Sequence, residues 1–244
     1  MATTSQFTVD GNTKALYHMD GTAGSSAKKD NAEGTASRDL TEVSTPSSST
    51  GYIVPTSNGA YSTFDGSKYL TFTPNLGTSA FTIEGWVKFP DVSPWTAIEV
   101  LLSAYPSSNY VFIGTWSASA WYFEISFTDR LCKFSFPEPS DTNWHYFALT
   151  YDASGSNSVK VYWDAVSQTL TNLGYASNDA NGSVGDNLFA FFNHNDGSYP
   201  TSITQTWYID EWRFSNVART ATEIYNYYND VIQSGMGIEL GCLA

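Results

Sequence analysis

From Lys14 onward the chain breaks into short runs of aromatic and β-branched residues, punctuated by clusters of Gly, Ser, Asn, Asp and Pro. ALYHM (15–19), AYSTF (60–64), KYLTF (68–72), FTIEGWVKF (81–89), IEVLLSAY (98–105) and YVFIGTW (110–116) read as strands. WYFEISF (121–127), KFSF (133–136), WHYFALTYD (144–152), VKVYWD (159–164), NLFAFF (187–192) and WYIDEWRF (207–214) follow in the same style. Several alternate with period two: Val159, Val161 and Trp163 share one face, and Lys160, Tyr162 and Asp164 share the other. FTIEGWVKF sets Phe81, Ile83 and Val87 on one side and Glu84 on the other, and its Gly85 hints at a bulge. This pattern predicts an all-β fold, a sandwich or barrel of many short antiparallel strands. Only ARTATEIYNYYNDVI (218–232) has helical spacing, with Ile224, Tyr227, Tyr228 and Val231 on one stripe. Thr220 as N-cap with Glu223 three residues on predicts a capping box at its start. The Ser/Thr-rich stretch from Ser44 to Gly51 reads as a surface loop. With no linker-like segment and no internal repeat, the reading is an N-terminal arm over 1–13 and a single domain over 14–244.

Composition narrows the function classes. Among 244 residues, 41% are hydrophobic, 16% aromatic and only 14% charged, enough for a sizeable core. The formal net charge of −13 argues against nucleic-acid binding, which needs clustered Lys and Arg, and suits cation binding. No apolar run reaches the length of a membrane span. The opening MATTSQFTVDGNTK lacks the basic start and apolar stretch of a secretory signal, so an external location implies a removed signal or another route, such as virion assembly and lysis. Cys132 and Cys242 have no metal-like spacing and are compatible with one disulfide or two thiols.

Taken in order, ALYHMDGTAG, the loop KKDNAEGTASRDLT, YSTFDGSKYLTF, FTIEGWVKF, NWHYFALTYD, VKVYWD and YIDEWRFSNVART resemble the concanavalin A-like lectin/glucanase superfamily, within it laminin-G-like or pentraxin-like domains. The resemblance spans residues 14–229 and implies a jelly roll: two antiparallel sheets face to face, with a ligand surface on the concave face or loop rim. In one departure Asp164 is followed by Ala165, where the family often has Asp-Gly, which predicts a longer or bulged hairpin.

Glucanases of that superfamily carry carboxylates as E-x-D-x-x-E on one strand face, and retaining cleavage needs a pair about 5 Å apart. No such run occurs. Asp210 and Glu211 are adjacent, and regular alternation sends them to opposite faces, so no hydrolase is expected. His18, His145 and His194 are scattered and no G-x-S-x-G elbow is present. His18 and His145 are read as structural, His145 in ordinary sheet packing.

The resemblance also implies a structural Ca2+ ion where the first and last strands meet. Asp20 and Asp210 would supply carboxylates, with a carbonyl near Gly66 and an oxygen from Asp30 or Asn31. The bland alternatives are that Asp210 caps backbone donors and that Glu211 pairs with Arg213, Arg219 or solvent. For a carbohydrate ligand, a pyranose face stacks on a flat ring while polar neighbours bond its hydroxyls. Trp95 in DVSPWTA, and Trp116 and Trp121 around the turn of GTWSASAWYF, are the loop aromatics suited to this. Asn193, Asn195 and Asp196 in NHNDGSYP could bond hydroxyls, although such residues also simply make turns. The expected function is therefore a non-catalytic, lectin-like, calcium-stabilised domain binding carbohydrate at a cell or particle surface. The alternative is a structural virion or appendage protein whose sandwich packs against subunits of a larger assembly.

Overall fold

The computed structural model describes residues 6–20, 32–44, 47–49, 60–62, 68–76, 80–89, 99–104, 110–117, 120–127, 130–137, 141–152, 159–172, 188–192 and 207–239. In chain order the strands are β1 (Thr13–Tyr17), β2 (Thr41–Val43), β3 (Ser47–Ser49), β4 (Ala60–Ser62), β5 (Tyr69–Phe72), β6 (Ala80–Lys88), β7 (Glu99–Ala104) and β8 (Tyr110–Ser117). Then come β9 (Ala120–Phe127), β10 (Arg130–Pro137), β11 (Trp144–Asp152), β12 (Val159–Trp163), β13 (Val166–Ser167), β14 (Thr171–Asn172), β15 (Phe189–Phe191) and β16 (Tyr208–Ser215), followed by helix α1 (Ala221–Glu239).

One antiparallel sheet runs β13-β12-β11-β6-β16. The far edge of β16 is shared, with β1 along Trp212–Ser215 and β4 at Ile209, and β3 lies beyond β4. The second sheet runs β14-β10-β9-β8-β7-β15-β5-β2. Between them lies an apolar core: Ile83, Val87, Phe147, Leu149, Val161, Trp212 and Phe214 face Leu70, Phe72, Leu102, Ile113, Phe189 and Phe191. Phe72 is at its centre, with ring centroids 5.2 Å from Phe191 and 4.8 Å from Phe214. Each such side chain removed from water contributes about 1.5–3 kcal/mol, which is why alternating aromatic strands collapse into a sandwich.

A second core lies on the outer face of the first sheet. Leu16, Trp86, Tyr146, Ala148 and Tyr162 are covered there by Ile224 and Val231 of α1 and by Phe7 of the N-terminal arm. The helix starts as its sequence predicts: the Thr220 amide donates to Glu223 Oε2 (2.8 Å) and the Glu223 amide to Thr220 Oγ1 (3.2 Å).

Four features differ from the sequence reading. Within the predicted Ser44–Gly51 loop, Ser47–Ser49 pairs with β4, and Thr41–Val43 pairs with β5. Strands this short leave no hydrophobic period to read. β13 and β14 were likewise too short to register. The β12–β13 hairpin is a tight two-residue turn rather than a longer one. Asp164 and Ala165 take φ 49° and 61°, and Trp163 pairs with Val166. Asp164 is held there because its Oδ1 accepts the Tyr146 amide (2.9 Å) and its Oδ2 meets His145 Nδ1 (2.7 Å).

The fourth difference bears on the acids. The bulge hinted at by Gly85 is in the neighbouring strand: the β16–β6 register shifts between Asp210 and Arg213, whereas β6 pairs with β11 without a break. The extra residue lets Trp212 lie over Gly85, where a Cβ would stand 2.4 Å from the indole.

Candidate functional site

Glu211 sits in the bulge at φ 50°, so regular alternation fails there. Asp210 pairs with Trp86 and shares its outward side; Glu211 reaches His18 and Phe7, which lie on that same side. The expectation that the two acids take opposite faces is therefore corrected: the bulge turns both outward. Both are fully buried. Glu211 does not pair with an arginine or solvent as the sequence suggested. Its Oε2 accepts the Phe7 amide (3.0 Å) and the His18 Nδ1–H (2.9 Å). Asp210 Oδ1 accepts the Glu211 amide (2.9 Å), and Asp20 Oδ2 accepts from Gln6 Nε2 (2.8 Å). Burial, partly offset by His18 and the Phe7 amide, holds the Glu211 carboxyl above its ordinary value. For His18, burial pulls downward but the Glu211 hydrogen bond and the charges of Glu211 and Asp20 outweigh it, so its pKa is raised.

The arginines go to another acid. Glu84, fully buried, takes Arg213 Nε at 2.8 Å and Arg219 Nε at 3.2 Å on Oε1, while the Tyr146 hydroxyl donates to Oε2. Arg213 Nη2 is also 2.8 Å from Oε1 but makes no aligned hydrogen bond, so that contact is purely an ion pair. Arg219 continues to Asp10 Oδ2 (2.9 Å), and the Arg213 guanidinium lies 3.7 Å from the Tyr227 ring centre and 4.6 Å from that of Phe7. These contacts tie arm, last strand and helix together. The sequence signal was available: acids and arginines in otherwise apolar strands are buried only when paired.

His145 is more than sheet packing. It lies between Asp164 (Nδ1, 2.7 Å) and Asp141 (Nε2, 3.0 Å), with its ring centre 4.9 Å from that of Trp163. Burial lowers its pKa, but the two aspartates raise it more, and the net shift is upward. Folding therefore favours the imidazolium. That stability is fully present below the unfolded value of about 6.5 and is lost as pH rises through the higher folded value. The melting temperature is expected to fall as pH rises above about 6.5, and His145→Gln is expected to flatten that slope. Equal slopes in thermal melts of the two proteins would remove His145 from the account.

The strand ends that lead to the candidate ligand residues lie at one rim. The β8–β9 hairpin closes through Ser117↔Ala120, with a register shift at Trp116 and Trp121 opposite Thr115. Glu99 of β7 pairs with Thr115, and Phe136 of β10 with Trp121, so β7 begins and β10 ends at this rim. The chain enters β7 from the segment bearing Trp95 and leaves β15 towards Asn193, Asn195 and Asp196. Trp95, Asn193, Asn195, Asp196, Asp30 and Gly66 themselves lie outside the described residues, as do Cys242 and the side chains of Trp116, Trp121 and Cys132.

A family model described as the concanavalin A-like lectin/glucanases superfamily, of laminin G type, matches residues 57–225. The chain belongs to this superfamily. Among solved structures, the binding domain of botulinum neurotoxin serotype G superposes on the laminin-G-like chain with a TM-score of 0.66 at 11% identity, covering 89% of this chain and 50% of that one. The binding domain of botulinum neurotoxin DC in complex with SialylT gives 0.67 at 10%, covering 91% and 52%. The same domain in complex with rat synaptotagmin II gives 0.64 at 11%, covering 89% and 51%. This chain thus spans about half the length of those structures, and at identities so low the superpositions show a shared fold alone. No curated protein matches the sequence. Among the described residues no helix is long and apolar enough to cross a membrane.

Proposed function

We propose that this jelly roll is a non-catalytic carbohydrate-binding domain, acting outside the cell or at the surface of a particle. The observation that carries the reading is the convergence on one rim of the Trp116/Trp121 hairpin with the strand ends that lead to Trp95 and to Asn193, Asn195 and Asp196. An aromatic platform with nearby amide and carboxylate groups suits a sugar, whose C–H face stacks while its hydroxyls hydrogen-bond. Solved structures of the same fold in complex with SialylT and with synaptotagmin II support a receptor-binding role. The absence of catalysis is supported by the only adjacent acid pair, Asp210 and Glu211, being buried, with Glu211 bonded to protein groups.

The test is a glycan panel read alongside molar mass in solution. Binding by a monodisperse protein supports the lectin reading. No binding, together with self-association into defined assemblies, supports a structural subunit instead. Residues 6–12 do not themselves call for a neighbouring subunit, because Phe7 is buried against Tyr146 and Tyr227 of its own chain.

A structural calcium ion at the seam is a separable part of the proposal, resting on the family resemblance. Of the residues that would hold it, Asp20 and Asp210 are described, and the remaining oxygens would come from Asp30 and the Gly66 carbonyl. The described acids alone do not complete a site: one oxygen of Asp20 accepts from Gln6, one of Asp210 from the Glu211 amide, and among the described residues no three His, Cys, Asp or Glu side chains converge. Calcium is expected to raise the melting temperature in a manner abolished by Asp20→Ala. An unchanged midpoint with calcium and with chelator would sink this assignment without touching the glycan reading.

A further inference from the structure

Beyond the hairpin, the same rim carries a row of side chains on the other sheet. Trp144 of β11 pairs with Lys88 of β6, and Lys88 pairs with Tyr208 of β16, so the three stand side by side across three strands. They share the outward face, since Tyr146 and Trp86, two residues along, line the core beneath α1. The helix covers that inner row completely: Tyr146 and Trp86 are buried, and Tyr228 stacks on Trp86 with 5.7 Å between ring centres. One step towards the rim the cover ends, and Trp144, Lys88 and Tyr208 are each only half-buried. The Trp144 and Tyr208 rings are 6.3 Å apart at 65°, and Lys88 Nζ is 6.0 Å from the Tyr208 ring centre.

At 6.0 Å the ammonium is at the outer limit of a cation–π contact, so Tyr208 engages it weakly. Among the described residues no carboxylate lies within ion-pairing distance of Lys88, in a chain with 24 acidic and 11 basic residues. Arg213, Arg219 and Arg38, by contrast, are each paired with an acid. A weakly engaged cation beside two half-exposed rings that pack on each other, on an otherwise acidic protein, offers one particular complement: a sugar ring for the aromatics and an anion for the ammonium.

We propose that Lys88, Trp144 and Tyr208 form a subsite for a carboxylated saccharide, with Lys88 pairing the sugar carboxylate and the two rings contacting its C–H surface. The subsite rests on the carbohydrate-binding reading and specifies its ligand class. It also adds residues of the first sheet to a site so far assigned to the β8–β9 hairpin and to loop residues.

The test compares immobilised acidic oligosaccharides, both sialylated and uronate-bearing, with the same sugars after carboxyl reduction to the alcohol. The native protein is expected to prefer the acids by about tenfold, and the preference should shrink with salt. Lys88→Gln is expected to bring the acids down to the level of the reduced sugars, and Lys88→Arg to retain the preference. Because Lys88 is half-exposed, these variants keep the fold, which far-ultraviolet circular dichroism verifies. If the native protein binds acid and reduced sugars equally, or Lys88→Gln keeps the preference, the subsite is wrong and the carbohydrate reading stands. If it binds neither, the subsite falls, and the carbohydrate reading falls with it when the full glycan panel is also negative.

Discussion

Replacing Glu84 with alanine is expected to cost the fold about 3–5 kcal/mol, because it strands the buried Arg213 guanidinium and takes from Arg219 its buried acid, leaving it Asp10. Arg213 and Arg219 both converge on its Oε1, and Tyr146 donates to its other oxygen. Burial alone would push the Arg213 pKa down, and the Glu84 charge is the main influence that raises it instead. In a chain of this length such a loss corresponds to a melting temperature lower by roughly 10 °C. Glu84→Gln, which keeps the shape and one acceptor but not the charge, is expected to fall between the two. Thermal melts of the three proteins check the ordering. A Glu84→Ala midpoint within a degree of the native one would show that the network is not what anchors β16, α1 and the arm to the sheet.

Gly85→Ala is the second large effect, and it needs no charge. A Cβ at this position would lie 2.4 Å from Cδ2, 2.5 Å from Cγ and 2.6 Å from Cε2 of Trp212, well inside the roughly 3.5–4.0 Å of a carbon–carbon contact. Trp212 cannot easily retreat: its Nε1 donates to the Trp86 carbonyl (3.1 Å), and its ring packs edge-on against Phe191 with centres 5.0 Å apart. Overpacking usually costs about 1–3 kcal/mol, and a clash with an anchored indole belongs at or above the upper end. Gly11→Ala, whose Cβ would meet nothing within 4 Å, serves as the control. Urea denaturation should show a lower midpoint for Gly85→Ala and little change for Gly11→Ala. Equal midpoints would mean that the bulge relaxes freely.

The two substitutions mark where sequence reading succeeds and where it stops. Alternation in VKVYWD and the Thr220–Glu223 cap were legible because each is local: residues within a few positions of one another determine the outcome. The family resemblance was legible for the same reason, as a series of local runs in a known order. The bulge at Asp210–Glu211 was not, because it depends on Trp212 fitting over a glycine of the neighbouring strand. With it went the prediction that Asp210 and Glu211 face opposite ways. The pairing of Glu211 with His18 joins residues 193 positions apart and follows from β1 lying beside β16. Similarly, Asp164 adopts a left-handed turn without a glycine after it because His145 and the Tyr146 amide hold its carboxylate. Long-range partners decided each of these, and no local window contains them.

Of the proposed ligand site, the sequence supplied the residue types, and strand register supplied the common end of the strands that lead to them. The hairpin tryptophans and the ends of β7, β10 and β15 come together only once the register of the second sheet is known.

The measurement that tests the central claim most directly is a calorimetric titration with the strongest sugar from the panel, for the native protein and for Trp121→Ala. The account predicts saturable binding by the native chain and a loss of about tenfold or more in the variant, in proportion to a lost aromatic platform, while circular dichroism shows the sheet intact. Undiminished affinity in Trp121→Ala would contradict the assignment of the β8–β9 rim as the sugar-binding surface.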